Sequence, residues 1–406
     1  MKQQYNIYEN MEDNKMENII RVELKKRIRD NDTLFAIIGP EIKLRRSLLN
    51  KTLKFIAFKI CSISYVSKLE SNEIKPNRVF LSEIGKRVNM TEEEIDGLFC
   101  LREVLNKSIK EFLFNDNTTV KKILEEKKNY VNYRYRLLVF LNSIYENDLI
   151  TAEETYLELL KISKSMTDYD FKIFALLSSI YLYKSGEIIE AFDNLTLLAE
   201  AEISNDLKYL LELYLFYCLN SLCKPETVIY YQKTRENLIY IGAYELLDEI
   251  NYYLAIYFIK NGSPDFSMSL LDTIRDPKRK HTIELLTAFI SDQPIKHFKK
   301  KDLLAPALCV YDYMHDKASL AKDVEEASKK YFKIDFYPII FKYLTIDNYI
   351  EKYNFIAEQV LPIFSKSDDL FLKRYFMKEA VKISEKTAKY KLLYELMNSY
   401  YKGACF

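Results

Sequence analysis

The stretch from residue 50 to residue 77 constrains the fold more than any other part of the chain, because it encodes two short helices joined by a tight turn. Apolar side chains recur at helical spacing on one face of each helix: Leu53, Ile56 and Ala57 in the first, Val66 and Leu69 in the second. Ser62 stands where its hydroxyl can cap the second helix, and Pro76 lies just beyond the expected end of that helix. The sequence therefore predicts a helix-turn-helix.

The second helix of this pair presents a polar outer face made of Ser64, Tyr65, Ser67 and Lys68. Such a face suits the floor of a DNA major groove, where base edges offer hydrogen-bond acceptors and thymine offers a methyl group. The run Ile60-Cys-Ser-Ile-Ser-Tyr-Val-Ser-Lys-Leu-Glu70 resembles the helix-turn-helix of the lambda-repressor-like class. It resembles more closely that of the peptide-sensing regulators grouped as Rap, Rgg, NprR, PlcR and PrgX. The competing interpretation is an ordinary helical hairpin with a polar surface.

The distribution of charge favours DNA binding. The whole chain carries a net charge of only +1, whereas residues 39–90 contain eleven Lys or Arg and four Glu. A local excess of positive charge is what the neutralisation of phosphates requires. We expect base contacts from Ser62, Ser64, Tyr65 and Lys68, and phosphate contacts from Lys51, Thr52, Lys54 and Lys75.

The resemblance also implies a structural pair within this domain. In the resembling family, an arginine at the position of Arg46 pairs with the glutamate that closes the recognition helix, which is Glu70 here. Relatives usually carry a glutamine where this chain has Leu53, so phosphate anchoring must fall to the neighbouring residues. The flanking helices are expected over 40–49, with Pro40 in the opening turn, and over 77–88, with Val79 and Ile84 in the core.

Composition and pattern predict that the remainder of the chain is helical as well. Seven Gly and nine Pro in 406 residues leave few turn signals. Thr91 is followed by three glutamates, which indicates a helix start. We interpret the helix that follows as a connector, and the polar residues 1–35 as an N-terminal arm.

A repeat of about 36 residues runs through the chain after residue 130. Leu141-Asn-Ser-Ile-Tyr145 and Leu177-Ser-Ser-Ile-Tyr181 match at this spacing, and Tyr217 follows 36 residues later. Periods of this length are typical of tetratricopeptide-like (TPR-like) repeats, whose units bury their apolar faces only against their neighbours. A right-handed α-solenoid with a concave groove is therefore predicted.

The predicted groove is a candidate site for an extended peptide. Such grooves use side-chain amides for the peptide backbone and pockets for apolar side chains. The candidate residues are Asn142, Ser178, Tyr181, Tyr217, Asn220 and Asn251. The competing interpretation places these tyrosines in the half-buried core of the solenoid. The resemblance implies that the ligand is a short secreted signalling peptide.

The sequence gives no support for catalysis, a metal or a cofactor. The three histidines are far apart, and no glycine-rich phosphate loop is present. The six cysteines are scattered and are interpreted as reduced thiols. We find neither a signal peptide nor an apolar run of about 18–20 residues. We therefore expect a cytoplasmic protein without membrane contact.

These observations predict an all-α chain in four parts: an N-terminal arm (1–35), a helix-turn-helix DNA-binding domain (36–90), a linker helix region (91–130) and a TPR-like domain for peptide binding and dimerisation (131–406). We interpret the chain as a quorum-sensing-type transcription regulator that binds operator DNA as a homodimer, because one recognition helix reads only a few base pairs. One alternative is a Rap-like module that sequesters a partner protein and has a vestigial DNA-binding domain. Another is a regulator whose solenoid only dimerises.

Overall fold

The computed structural model describes residues 19–24, 35–74, 77–91, 94, 100–126, 132–291, 293, 298–315, 319, 322, 336–364 and 370–402. All regular structure in these ranges is helical, which confirms the all-α prediction. The chain divides into two compact units, the first comprising residues 1–185 and 190–211, the second residues 186–189 and 212–406. None of the helices in the described ranges is both long and apolar enough to span a membrane.

The first unit contains the predicted helix-turn-helix within four helices: α1 (Phe35–Leu48), α2 (Leu53–Ala57), α3 (Ile63–Glu70) and α4 (Arg78–Arg87). Side chains cap three of them, because Thr52, Ser62 and Asn77 each accept a hydrogen bond from a backbone N–H of the first turn. The core of this domain consists of fully buried aliphatic side chains, among them Ile42, Ile56, Val66, Leu69 and Ile84.

Two details of this domain differ from the sequence-based expectation. α1 begins at Phe35, so Pro40 lies inside the helix and not in its opening turn. Proline removes a backbone donor there, but residues 38–42 are all buried, and their packing outweighs the local preference. Val79 is 70% exposed, because α4 turns Leu81 and Ile84 toward the core instead.

The rest of the first unit consists of helices that stack on one another: α5 (Cys100–Phe112), α6 (Thr118–Glu126), α7 (Tyr133–Glu146), α8 (Leu149–Ile162), α9 (Asp168–Ser185) and most of α10 (Ile188–Ala199). α7 packs against both α8 and α9. A fully buried ion pair between Arg134 and Asp170 (2.8 Å) ties α7 to α9. The helical segment 19–24 lies on α10, where Arg21 pairs with Asp193 (3.0 Å).

Helix α11 (Asn205–Ser221) runs from the first unit into the second. The second unit continues with α12 (Thr227–Ile241), α13 (Tyr244–Lys260), α14 (Pro264–Ser269), α15 (Pro277–Ile290), α16 (Ala305–His315), α17 (Phe336–Leu344), α18 (Tyr349–Phe355), α19 (Leu361–Phe364), α20 (Leu370–Thr387) and α21 (Lys391–Lys402). α13 packs against α12, α14 and α15. Hairpins open at residues 133, 168, 205, 244 and 277, close to the period that the sequence predicts.

Candidate nucleic-acid interface

Helix α3 has one exposed and one buried side. Successive residues of an α-helix are rotated by about 100°. The exposed side chains fall on one arc, which we call the exposed arc: Ile63, Ser64, Ser67 and Lys68. The buried Val66 and Leu69 face the opposite way, and Glu70, which is also buried, closes the helix two turns after Ile63. The exposed arc therefore offers two hydroxyl groups, one ammonium group and one aliphatic side chain.

The four residues predicted to contact bases differ in their surroundings. Ser64 and Lys68 lie on the exposed arc. The hydroxyl oxygen of Ser62 accepts a hydrogen bond from the backbone N–H of Tyr65 (3.1 Å), so this exposed serine also caps α3. The ring of Tyr65 is half-buried and packs edge to face against Phe80, with centroids 5.3 Å apart. A base contact by Tyr65 would require the ring to leave α4, and it stays a prediction.

The predicted pair of Arg46 and Glu70 is present and joins α1 to the end of α3. Nε of Arg46 lies 2.6 Å from Oε1 of Glu70, and Nη2 lies 2.8 Å from Oε2. The Glu70 side chain is only 5% exposed, so Arg46 pairs with it largely away from solvent. A two-point contact of this kind fixes direction as well as distance. It holds α3 in one orientation on α1.

A second fixed point between the same helices is Gly39 in α1. A Cβ atom at this position would overlap the carbonyl oxygen of Leu69 and the side-chain amide of Asn72. The backbone of α1 therefore touches the last turn of α3 directly. Sequence reasoning missed this role, because a glycine inside a helical pattern gives no sign of which backbone lies against it.

Three of the four predicted phosphate contacts are exposed around the start of α2. The ammonium group of Lys51 lies 4.6 Å from the centroid of the Phe55 ring. The hydroxyl of Thr52 accepts a hydrogen bond from the N–H of Phe55 (3.2 Å). Lys54 is exposed on α2, and Lys75 lies outside the described residues. The two described lysines place positive charge next to the motif.

A buried polar network fastens α1 to the segments that follow the domain. Arg45 donates to Glu41 (2.7 Å) and, through two nitrogens, to both carboxylate oxygens of Glu94 (3.1 Å each). Glu41 also accepts a hydrogen bond from the backbone N–H of Tyr133 (2.9 Å). Burial raises the pKa of Glu41, although the hydrogen bond and charge of Arg45 act in the opposite direction. α1 is thus anchored to the start of α7.

A second joint forms at the short turn between α8 and α9. The ammonium group of Lys43 lies 3.2 Å from the hydroxyl of Ser165, and the side-chain amide of Asn72 donates to the carbonyl oxygen of the same serine. Asn72 has a φ of 58°, a left-handed conformation that asparagine tolerates better than most residues. The partners lie about a hundred positions apart, so local sequence patterns gave no signal for this joint.

The predicted peptide-binding residues of the first unit are partly or fully covered. Oδ1 of Asn142 accepts a hydrogen bond from Asn117 (3.2 Å). Ser178 is fully buried. The half-buried ring of Tyr181 lies 5.6 Å from that of Tyr156, measured between centroids. Asn142 and Tyr181 retain some exposure, and their assignment to a peptide stays a prediction.

The predicted peptide-binding residues of the second unit link helices to one another. Tyr217 donates from its hydroxyl to Glu249 (2.8 Å). The amide of Asn220 donates to the carbonyl oxygen of Tyr253 (2.7 Å), and Asn251 accepts from the hydroxyl of Tyr231 (2.7 Å). These bonds engage polar groups that the sequence assigned to a ligand, and that assignment likewise stays a prediction.

The second unit also contains a cavity of about 350 Å³ between α14 and α15. Its lining combines apolar and acidic side chains with neutral polar ones: Pro264, Asp265, Met268, Glu284, Thr287, Ala288, Ser291, Gln293 and Phe298. None of the predicted peptide-binding residues belongs to this lining. Among the described residues, no group of three or more His, Cys, Asp or Glu is placed to hold a metal ion.

Comparison with known proteins gives two distant structural neighbours. No family model and no curated protein matches the sequence. PlcR of Bacillus thuringiensis, solved with the peptide PapR7 and DNA, is similar at 16% identity and a TM-score of 0.33, over 63% of this chain and 94% of that one. The apo form of the competence regulator ComR from Streptococcus vestibularis is similar at 14% identity and a TM-score of 0.35, over 74% of this chain and 100% of that one. PlcR is one of the regulators that name the peptide-sensing group described above.

Proposed function

We propose that this chain is a transcription regulator that binds duplex DNA through α3. The exposed arc carries the proposal, because its serine hydroxyls and the ammonium group of Lys68 match the hydrogen-bonding groups of base edges. The Arg46–Glu70 pair and the backbone contact at Gly39 support it, since they hold α3 at a defined angle. Ser64 and Lys68 would read bases, and Lys51, Thr52 and Lys54 would hold phosphates.

The proposed regulator acts as a homodimer in the cytoplasm under the control of a short signalling peptide. Two copies are needed, because one recognition helix covers only a few base pairs. The helix-turn-helix domain of the second copy reads the next major groove, about 34–36 Å away. The stacked hairpins support peptide control, since arrays of this kind present extended concave binding surfaces. Asn142 and Tyr181 are the candidate contacts that keep partly exposed side chains.

The DNA-binding proposal is tested by the binding of the full chain to the DNA that flanks its own gene, at several salt concentrations. We expect Lys68→Ala to relax base preference. We expect Lys51→Ala to weaken binding to every sequence and to reduce the slope of log K against log salt by about 0.9. Lys122→Ala is the matched control, because this lysine is 73% exposed on α6, outside the helix-turn-helix. A probe that stays unshifted at every protein concentration would contradict the proposal and favour the sequestering module.

Peptide control is tested by calorimetry with short peptides encoded by small reading frames beside the gene. We expect one of them to bind the full chain, and Asn142→Ala or Tyr181→Phe to weaken that binding. Tyr394→Phe is the control, because this tyrosine is 67% exposed on α21. If none of the peptides binds, the solenoid serves association alone.

A further inference from the structure

Ile63, the first residue of α3, is 48% exposed. The other apolar residues of this helix, Val66 and Leu69, are at most 1% exposed. A hydrophobic staple at a helix start would join the residue before the cap to the fourth helical residue, here Cys61 and Val66, so Ile63 takes no part in one. Capping falls to Ser62. The local structure therefore does not explain an aliphatic side chain at this place.

The surroundings of Ile63 indicate what it could contact. It lies on the exposed arc, one helical turn before Ser67 and next to Ser64. The first turn of a recognition helix is the part that meets the base edges. On the major-groove edges of the four bases, the only apolar group is the 5-methyl of thymine. An exposed aliphatic side chain among hydroxyl groups fits that methyl group and no other feature of the groove.

We propose that Ile63 determines specificity by packing against the 5-methyl group of a thymine in each operator half-site. The inference rests on the proposed DNA-binding function and adds to it the base that this residue selects. Ile63 and Lys68 are five residues apart, or about 7.5 Å along the helix axis. The thymine read by Ile63 and a guanine read by Lys68 then lie about two base pairs apart, at a spacing of about 3.4 Å per base.

The test removes one methyl group at a time from the DNA. Full-length protein first selects bound duplexes from a random pool, and each thymine of a selected duplex is then replaced by deoxyuridine. We expect one position per half-site at which this replacement weakens wild-type binding about fourfold, which corresponds to about 0.8 kcal/mol for one buried carbon. We expect Ile63→Ala to bind the thymine and deoxyuridine duplexes equally well at that position.

Val79→Ala provides the matched control, because Val79 is also aliphatic and 70% exposed in the same domain, on α4. This variant should keep the wild-type preference for thymine. The inference is overturned if deoxyuridine is tolerated at every position by the wild type, or if Ile63→Ala keeps the discrimination. If the wild type selects no duplex at all, the proposed function fails and the inference with it. Selection without methyl discrimination overturns only the inference.

Discussion

The hydroxyl oxygen of Tyr65 accepts a hydrogen bond from the backbone N–H of Asn77 at 2.8 Å, and the same ring packs against Phe80. Tyr65 thereby joins α3 to the first turn of α4. A residue whose type suits base recognition is thus engaged in holding two helices together.

Removing only this hydroxyl separates the two roles. We expect Tyr65→Phe to lower the free energy of unfolding by about 1 kcal/mol, because the ring stays in place and one N–H loses its acceptor. Base preference should not change. Chemical denaturation and binding to duplexes with single base changes measure the two effects, with Tyr394→Phe as the exposed control. A shifted preference at one base pair with unchanged stability would assign Tyr65 to the DNA.

Breaking the pair between α1 and α3 should destabilise the helix-turn-helix domain. Arg46→Ala leaves the buried carboxylate of Glu70 without its partner, so we expect a loss of about 3 kcal/mol in the free energy of unfolding. Arg46→Lys should restore only part of it, because an ammonium group cannot make the two parallel bonds. Lys86→Ala removes an exposed ion pair with Glu83 and should leave stability almost unchanged. Equal effects at positions 46 and 86 would refute a structural role for the pair.

A methyl group at position 39 should be harmful although the position is helical. Alanine is normally favoured over glycine inside a helix by about 1 kcal/mol. In Gly39→Ala the new Cβ would overlap the carbonyl oxygen of Leu69, so we expect a net loss of about 1–3 kcal/mol in thermal or urea unfolding. Ser47→Ala, at an exposed site on α1, should be neutral or mildly stabilising. A stabilised Gly39→Ala protein would show that α1 and α3 are not in backbone contact.

The buried carboxylate of Glu41 should make stability depend on pH in a defined direction. Burial raises the pKa of Glu41 in the folded chain above its ordinary value of 4.5. The stabilisation linked to its protonation is therefore fully present below 4.5 and is lost as pH rises through the higher folded pKa. Glu41→Gln cannot ionise, so its stability relative to the wild type should increase as pH rises from below 4.5 toward neutrality.

Urea unfolding at a series of pH values measures this difference, and Glu154→Gln, at an exposed site on α8, is the control. The opposite trend, with the wild type gaining over Glu41→Gln as pH rises, would mean that the Arg45 guanidinium outweighs burial at this carboxylate.

Features that depend on a few neighbouring residues could be predicted from the sequence. The cap at Ser62 forms as expected. Thr91 and Glu94 also form a reciprocal capping pair, because the Thr91 hydroxyl accepts from the Glu94 N–H (3.1 Å) while the Glu94 carboxylate accepts from the Thr91 N–H (2.8 Å). Both arrangements are closed within one helical turn, so the sequence order of polar residues is sufficient to specify them.

Features that depend on distant partners could not be predicted in the same way. Periodicity places Val79 on an apolar face of α4, but it does not say which of the aliphatic side chains there reaches the core. The hydrogen-bond partners of Asn220 and Asn251 lie 20 to 33 residues away, so local sequence patterns could not predict these bonds. The assignment of both residues to a peptide stays a prediction. The exposure of Ile63 becomes visible only once the inward side of α3 is known.

The contact at Gly39 has a consequence for any signal that reaches the helix-turn-helix domain. No side chain lies between the two backbones at this contact. No change of side-chain rotamer can therefore let one helix slide along the other. α1 and α3 must then move as one piece, so a signal from elsewhere in the chain, such as the proposed peptide, can redirect α3 only by moving the whole helix-turn-helix domain.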